Sequence, residues 1–447
     1  MKSVKKQADP QSIYQLDSKI KISQGIPFAL QQVLSMFLSN ITPAILITAV
    51  ALYDGKPLTN IQIAIIFQNS MLVAGIGTLI QALPLWKFGA KLPIIMGISF
   101  NFLVAAMAIA AQDYGYLIGA VIIGGIIEGT LGLFYKYWGK FITPLTSACV
   151  VIAIGFSIIG SACTSLASSP KFESGSWQNI IVGLITMLSA ITFFLLGKGI
   201  FKQLYLLFAL IIGYIVALPF GMVDFSGFKE TVSTLGIVTY PHIFQYKPKF
   251  QLSSIITISI IFLTSAAETV GDISALVTST MNRSPTEKEI KGGLACDGFI
   301  SAISGGFFGC TPITSFSGQI GTVIMTKIIN RYVCVIEAVI LIIAGLCPPI
   351  GALLTTVPDC VLGGVSIIAF GSILISGFQM LAKVGFNERN SLIAAVSLTL
   401  GLGSTLCANF YQRMPALVQD IFANNPIAGV FVFTVLLSAI FPAKKQK

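Results

Sequence analysis

Apolar runs close to the roughly 20 residues that cross a hydrocarbon core recur along almost the whole chain. They fall at about 26–50, 61–85, 92–111, 114–134, 142–164, 177–197, 201–221, 252–279, 292–309, 314–330, 333–356, 361–381, 391–410 and 424–442. The pattern predicts an all-α polytopic membrane protein of about fourteen spans. Two runs are interrupted. Residues 311–327 read TPITSFSGQIGTVIMTK; Pro312 has no N–H to donate and Gly318 and Gly321 lack side chains, so the segment is predicted to start extended and turn helical late. Residues 92–103, LPIIMGISFNFL, repeat that grammar with Pro93, Ser99 and Phe100. Irregular backbone is tolerated at bilayer depth only where protein buries it or where it lines a polar cavity. Matching interruptions in two halves of a chain point to an inverted repeat whose broken helices face each other at the midplane. The third and tenth spans are therefore expected to be broken, with helix N-termini offering N–H groups to a polar ligand from each side.

Composition and charge sharpen this picture. A chain of 447 residues that is 55% hydrophobic and 10% charged is no ordinary soluble protein. The net charge of +10 reads as topology. With the N-terminus inside, only Lys56, Lys171, Lys229, Lys247, Lys249 and Arg413 of the 27 basic residues fall on the outer side. Both termini are thus expected in the cytoplasm, and no nucleic-acid partner is called for. The N-terminal stretch is polar for too long to read as a secretory signal. The eight cysteines lack CxxC spacing and read as small buried hydrophobes, and no HExxH, GxSxG or cysteine–histidine arrangement points to an enzyme or a metal site.

Candidate chemistry lies inside the spans. Gln31, Gln32, Ser35 and Ser39 fall on about one face of the first span, as a polar cavity wall or as interhelical hydrogen bonds. Glu128, in GGIIEGT, reads equally as a packing contact or part of a proton path. The single histidine, His242, lies in the connection 222–250 and reads as inert. The eighth span carries Glu268 and Asp272 one helical turn apart. A carboxylate at the bilayer centre costs roughly 2.5–3.5 kcal/mol on insertion scales, and two on one face repel unless one is protonated or paired. Asp297, in the ninth span, is a third acid in the same half. These three are candidate proton carriers, although carboxylates and carbonyls also suit sodium.

Several motifs together resemble the nucleobase-ascorbate transporters, also called nucleobase cation symporter family 2: ETVGD at 268–272, ACDGF at 295–299, GQIGTVIMTK at 318–327, LQQVLSMF at 30–37 and NERNSLIAAVSLTLGLG at 387–403. The resemblance implies two inverted seven-helix repeats and a homodimer working by an elevator movement. It implies a cytoplasmic tail at 1–25, a core domain from 26–135 and 251–356, a gate domain from 136–221 and 357–442, an inter-repeat loop at 222–250 and a tail at 443–447. It further implies a ligand held between the third and tenth spans, with Glu268 as anchor, Phe100 as the aromatic of span three, and Ser317, Gly318 and Gln319 as polar contacts. Gln32, Ser99 and Phe316 complete the candidate site. The chain departs from the family pattern at Gly318 and Gln319, where the signature usually begins with Gln, Glu or Pro followed by Asn. It also departs at Gln31–Gln32, where the usual pair is Gln-His. The expected activity is proton-coupled symport of a purine nucleobase of the xanthine or urate class, without an organic cofactor, in a bacterial inner membrane. A uracil permease, a sodium-coupled ascorbate or organic-anion carrier, an ion channel and a substrate-sensing protein are the competing readings.

Overall fold

The computed structural model describes residues 14–138, 143–198, 200–354, 356–407, 409–415, 418–419, 422–423 and 426–441. Residues 1–13 of the tail expected at 1–25, the whole tail expected at 443–447, and the side chains of Ser35 and Ser39 lie outside the described ones. The helices in the apolar runs are α1 (Ile22–Val50), α2 (Asn60–Ala82), α3 (Leu103–Ala110), α4 (Tyr114–Leu133), α5 (Pro144–Leu166), α6 (Trp177–Leu196) and α7 (Tyr205–Ala217). They continue with α8 (Leu252–Met281), α9 (Glu287–Phe308), α10 (Ser317–Thr326), α11 (Arg331–Gly345), α12 (Asp359–Val384), α13 (Glu388–Leu406) and α14 (Pro426–Ile440). Two short strands precede the shortest of these helices, β1 (Met96–Ile98) before α3 and β2 (Ile313–Ser315) before α10. Among the described residues six helices, α2, α4, α5, α6, α8 and α12, are long and apolar enough to cross a membrane.

Local sequence explains where the helices begin and end. Thr59 with Gln62 and Thr286 with Glu289 form reciprocal capping boxes at the starts of α2 and α9. Asp113 and Asn387 cap α4 and α13 through their side-chain oxygens. The run predicted at 333–356 is not one straight element: α11 meets a short helix, Pro348–Leu354, at an angle of 81°. Pro348 and Pro349 cannot donate the backbone hydrogen bonds needed to continue α11. The polar connection 222–250 also holds a helix, Ser226–Leu235, ended by Gly236 at a φ of 75°. Its far end is clamped to the start of α4 by Lys249 Nζ, 2.6 Å from Asp113 Oδ2 and 2.7 Å from Asp54 Oδ1. The bonds to Asp113 and Asp54 raise the Lys249 pKa above the ordinary lysine value. The clamp's contribution is therefore present at neutral pH and is lost in alkali as pH rises through that raised value.

The packing brings distant parts of the chain together in matched pairs. The most extensive contacts are α5 with α12, α4 with α9, and α2 with α11; α4 also packs on α8, and α11 on α1. The α4–α9 crossing is a backbone contact. A Cβ on Gly298 would lie 2.0 Å from Gly129 N and 2.6 Å from Gly125 O. No rotamer relieves a clash with backbone, so Gly298→Val is expected to cost at least the ~3 kcal/mol upper end of ordinary overpacking and to remove the monodisperse peak in detergent chromatography. Gly306→Ala, on the same helix, meets only Ile122 side-chain atoms at 3.5 Å or more and is expected to leave that peak intact.

Candidate functional site

The two strands pair with each other. β1 and β2 run antiparallel with Met96 opposite Ser315, Gly97 opposite Thr314 and Ile98 opposite Ile313. Phe316 N adds a bond to Ile95 O at 2.9 Å. All six strand residues are buried, so each spare backbone group must find a partner inside the protein. Thr78 Oγ1 of α2 accepts from Met96 N at 2.9 Å. Ser301 of α9 donates to Ile313 O at 2.8 Å and accepts from Ile313 N at 3.1 Å, while Ser304 donates to Thr311 O. The helices that follow are short. α3 has 8 residues and α10 has 10; at 1.5 Å per residue each covers about half of a ~30 Å hydrocarbon core. The segments that follow Pro93 and Pro312 each run from strand to helix, and their strands pair with each other.

The two acids of α8 lie at the mouth of α10. Ser317, its first residue, places Oγ 2.6 Å from Glu268 Oε1 and 2.6 Å from Asp272 Oδ2. A hydroxyl carries one proton, so it donates to one carboxylate only; the second contact closes when the other carboxyl carries a proton and donates to Ser317. Glu268 Oε2 accepts from Asn101 Nδ2, just beyond β1. Ser99 accepts from Asn101 N and caps the single 3-10 turn Phe100–Phe102. Gln319 Nε2 donates to Gln32 Oε1 of α1, and among the described residues Gln319 Oε1 has no hydrogen-bond partner although it is buried. Glu268, Asp272 and Ser317 are half-buried and Gly318 is exposed, whereas Gln32, Ser99, Phe100, Phe316 and Gln319 around them are buried. The acids therefore remain open on one side.

Phe100 and Phe316 are differently placed. The Phe100 ring meets Phe370 of α12 edge-on, with centroids 5.0 Å apart. The Phe316 ring reaches within 2.9 Å of where a Cβ on Gly318 would lie, so a side chain at 318 would have to displace that ring. Asp297 stands apart from the α8 pair and is completely buried. Its Oδ1 accepts from Gln81 Nε2 and Ser315 Oγ at 2.9 Å each, and its Oδ2 from Thr269 Oγ1 at 2.8 Å and Ser315 N at 3.0 Å. Four donors use its acceptor capacity, and two belong to Ser315 of β2. Glu128 is completely buried in α4, and among the described residues neither of its oxygens has a hydrogen-bond partner. His242 lies outside the site and contributes its carbonyl to Asn69 Nδ2. Asn101, Gln81, Thr269, Ser315 and Phe370 escaped the sequence reading. The signal for Asn101 was an amide one position after the Phe100 already singled out.

A polytopic membrane protein whose acids face two paired, half-length strand–helix segments has the form of a carrier, with a polar site between elements from the two halves of the chain. This chain belongs to the Permease family, whose model matches residues 23–409, the group its motifs resemble; the family's proteins are transporters and not enzymes. It is 30% identical to the xanthine permease XanQ of Escherichia coli in an alignment of 449 positions that covers 96% of this chain and 94% of that one. It is 31% identical to the uric acid permease PucK of Bacillus subtilis over 431 residues, 94% and 96% of the two chains. The fold is similar to the transmembrane domain of the cyanobacterial bicarbonate transporter BicA, at a TM-score of 0.54 and 17% identity, covering 95% of this chain and 99% of that one. It is also similar to SLC26A9, at a TM-score of 0.59 and 13% identity, covering 96% and 67%.

Proposed function

We propose that this protein is a proton-coupled symporter of a purine nucleobase of the xanthine or urate class. The observation that carries the reading is Ser317 held between Glu268 and Asp272 at 2.6 Å from each. That trio accommodates a proton beside a carboxylate able to accept ring N–H groups, and charge-assisted bonds of this kind are the stronger ones. Binding and protonation are then linked through shared atoms. Glu268 anchors the base, Ser317 and Gln319 supply further polar contacts, Gly318 lets the Phe316 ring close over it, and Phe100 and Phe316 offer aromatic faces. Gln32 positions Gln319, and Ser99 shapes the turn that carries Phe100. Asp272 exchanges the coupled proton with Glu268. Asp297 was grouped with them from the sequence, but its four filled acceptor positions favour a scaffolding role. No organic cofactor takes part.

The matched packing of α4 on α9 and α2 on α11, and of α8 on α4 and α1 on α11, supports two inverted repeats of seven spans. On this reading α1–α4 with α8–α11 form the core that carries the base. α5–α7 with α12–α14 form the gate against which the core slides, as a homodimer in the bacterial inner membrane with both termini cytoplasmic. Purified protein in liposomes is expected to accumulate labelled xanthine, and an inward proton gradient should raise the initial rate about tenfold or more, the rate equivalent of ~1.4 kcal/mol. Unlabelled urate, hypoxanthine, guanine, uracil and ascorbate serve as competitors. Uptake indifferent to the gradient would overturn proton coupling, and stronger competition by uracil or ascorbate than by urate would overturn the substrate class.

A further inference from the structure

The family pattern places Gln, Glu or Pro at the position of Gly318, and this chain has no side chain there. A side-chain amide appears instead on the opposite segment, at Asn101, and it is bonded directly to Glu268. We infer that Asn101 is a positioning residue for Glu268 and a selectivity determinant for the base, an inference that rests on the nucleobase reading above.

Consider first the carboxylate. Its two oxygens take donors from different elements, Ser317 of α10 on Oε1 and Asn101 of the β1–α3 segment on Oε2. A carboxylate held at both oxygens cannot rotate freely about its last bond, so the direction of its remaining lone pairs is fixed before the ligand arrives. Organisation of this kind lowers the cost of binding. Asn101 is buried, and its own backbone N is tied to Ser99 Oγ at 3.2 Å, which holds the amide in place.

The orientation of the amide follows from chemistry. An ionised carboxylate only accepts hydrogen bonds, so the NH2 of Asn101 must face Glu268 and its carbonyl must point elsewhere. Among the described residues Oδ1 of Asn101 takes no hydrogen bond. The side of the site lined by β1–α3 therefore adds an acceptor next to an acid, while on the α10 side Gly318 offers no side chain. A base matching this arrangement carries a further ring N–H beyond those bound by Glu268. Xanthine and urate have N3–H; hypoxanthine presents N3 as a bare acceptor, which would face Oδ1 as acceptor against acceptor. Discrimination then comes from a repulsive element as well as from an attractive one.

The test compares inhibition constants of xanthine and hypoxanthine against labelled xanthine uptake in liposomes, for the wild type, Asn101→Ala and Asn101→Ser. Wild type is expected to prefer xanthine at least tenfold, since leaving a buried acceptor unpaired penalises the analogue lacking the donor by about that factor or more. In Asn101→Ala the preference should narrow to within about threefold, with KM for xanthine rising about tenfold and the maximal rate changing less than about threefold. Asn101→Ser keeps a donor for Glu268 without an amide carbonyl. Its KM for xanthine should fall between those of wild type and Asn101→Ala, because the bond to Glu268 is kept and the carbonyl facing N3–H is not, while the preference is lost, and it serves if the alanine variant is not recovered folded. A wild type that binds both bases equally, or variants that keep the wild-type ratio, would overturn the inference. Absence of any nucleobase uptake by the wild type would instead remove the functional reading beneath it.

Discussion

Glu268→Gln is expected to abolish gradient-driven accumulation while leaving a folded protein. The substitution preserves shape and can preserve every local bond. The new amide can place its oxygen toward Asn101 Nδ2 and its NH2 toward Ser317 Oγ, which then donates to Asp272. What is lost, on the proposed mechanism, is the negative charge that accepts the base's N–H groups and the carboxyl that shares a proton through Ser317. The initial rate under an inward proton gradient should fall about 100-fold or more, equivalent to ~2.7 kcal/mol of transition-state stabilisation. Chromatographic behaviour in detergent should match the wild type. Accumulation above the equilibrium level by the variant would sink the role assigned to Glu268.

Asp297→Asn presents the opposite case, an equally conservative change that the surroundings cannot absorb. All four contacts to Asp297 come from donors. If the new NH2 takes the place of Oδ2 it faces Ser315 N, a backbone donor that cannot turn away. If it takes the place of Oδ1 it faces Gln81 Nε2, and Gln81 cannot flip without breaking the 2.9 Å bond from Ala90 N to its Oε1. In the first case Ser315 N loses its partner; in the second Gln81 Nε2 loses its shortest bond and keeps only the longer contacts to Gly293 O at 3.2 Å and Ser315 Oγ at 3.4 Å. The cost is about 1–3 kcal/mol. The loss falls beside β2, the strand that leads into Ser317. Thermal inactivation of the solubilised protein should move to clearly lower temperature, and transport should fall with it at 37 °C. A variant as heat-resistant as wild type would remove Asp297 from its structural role.

The contrast between these two acids marks what the sequence could and could not tell. Hydrophobic runs placed the helices because crossing hydrocarbon demands a minimum apolar length, and Pro93 and Pro312 located the two extended segments because proline cannot donate to a helix. Glu268 and Asp272 were legible as a pair because a spacing of four puts them on one face. The partners of the acids were not legible. Asn101 meets Glu268 across 167 residues and Gln81 meets Asp297 across 216, and nothing in local periodicity records contacts that only the tertiary packing creates. The same holds for α11, whose apolar run reads as continuous although Pro348 and Pro349 turn it by 81°. Gly318 reads as a missing contact in the sequence; in the structure the Phe316 ring fills the place its side chain would take.

The pairing of β1 with β2 has a consequence for how the chain is made. Gly97 and Thr314 lie about half the chain apart, so during synthesis the first strand reaches the bilayer long before its partner has left the ribosome. Until then its N–H and C=O groups need other partners, because exposed backbone is not tolerated in hydrocarbon. Thr78, on the preceding helix α2, is already available to accept from Met96 N. The rest of the first segment must wait at an aqueous or protein-lined boundary for the second half to arrive. The candidate site is therefore among the last parts of this protein to form, and a ribosome stalled before residue 313 would leave a membrane-inserted chain in which that site is half built.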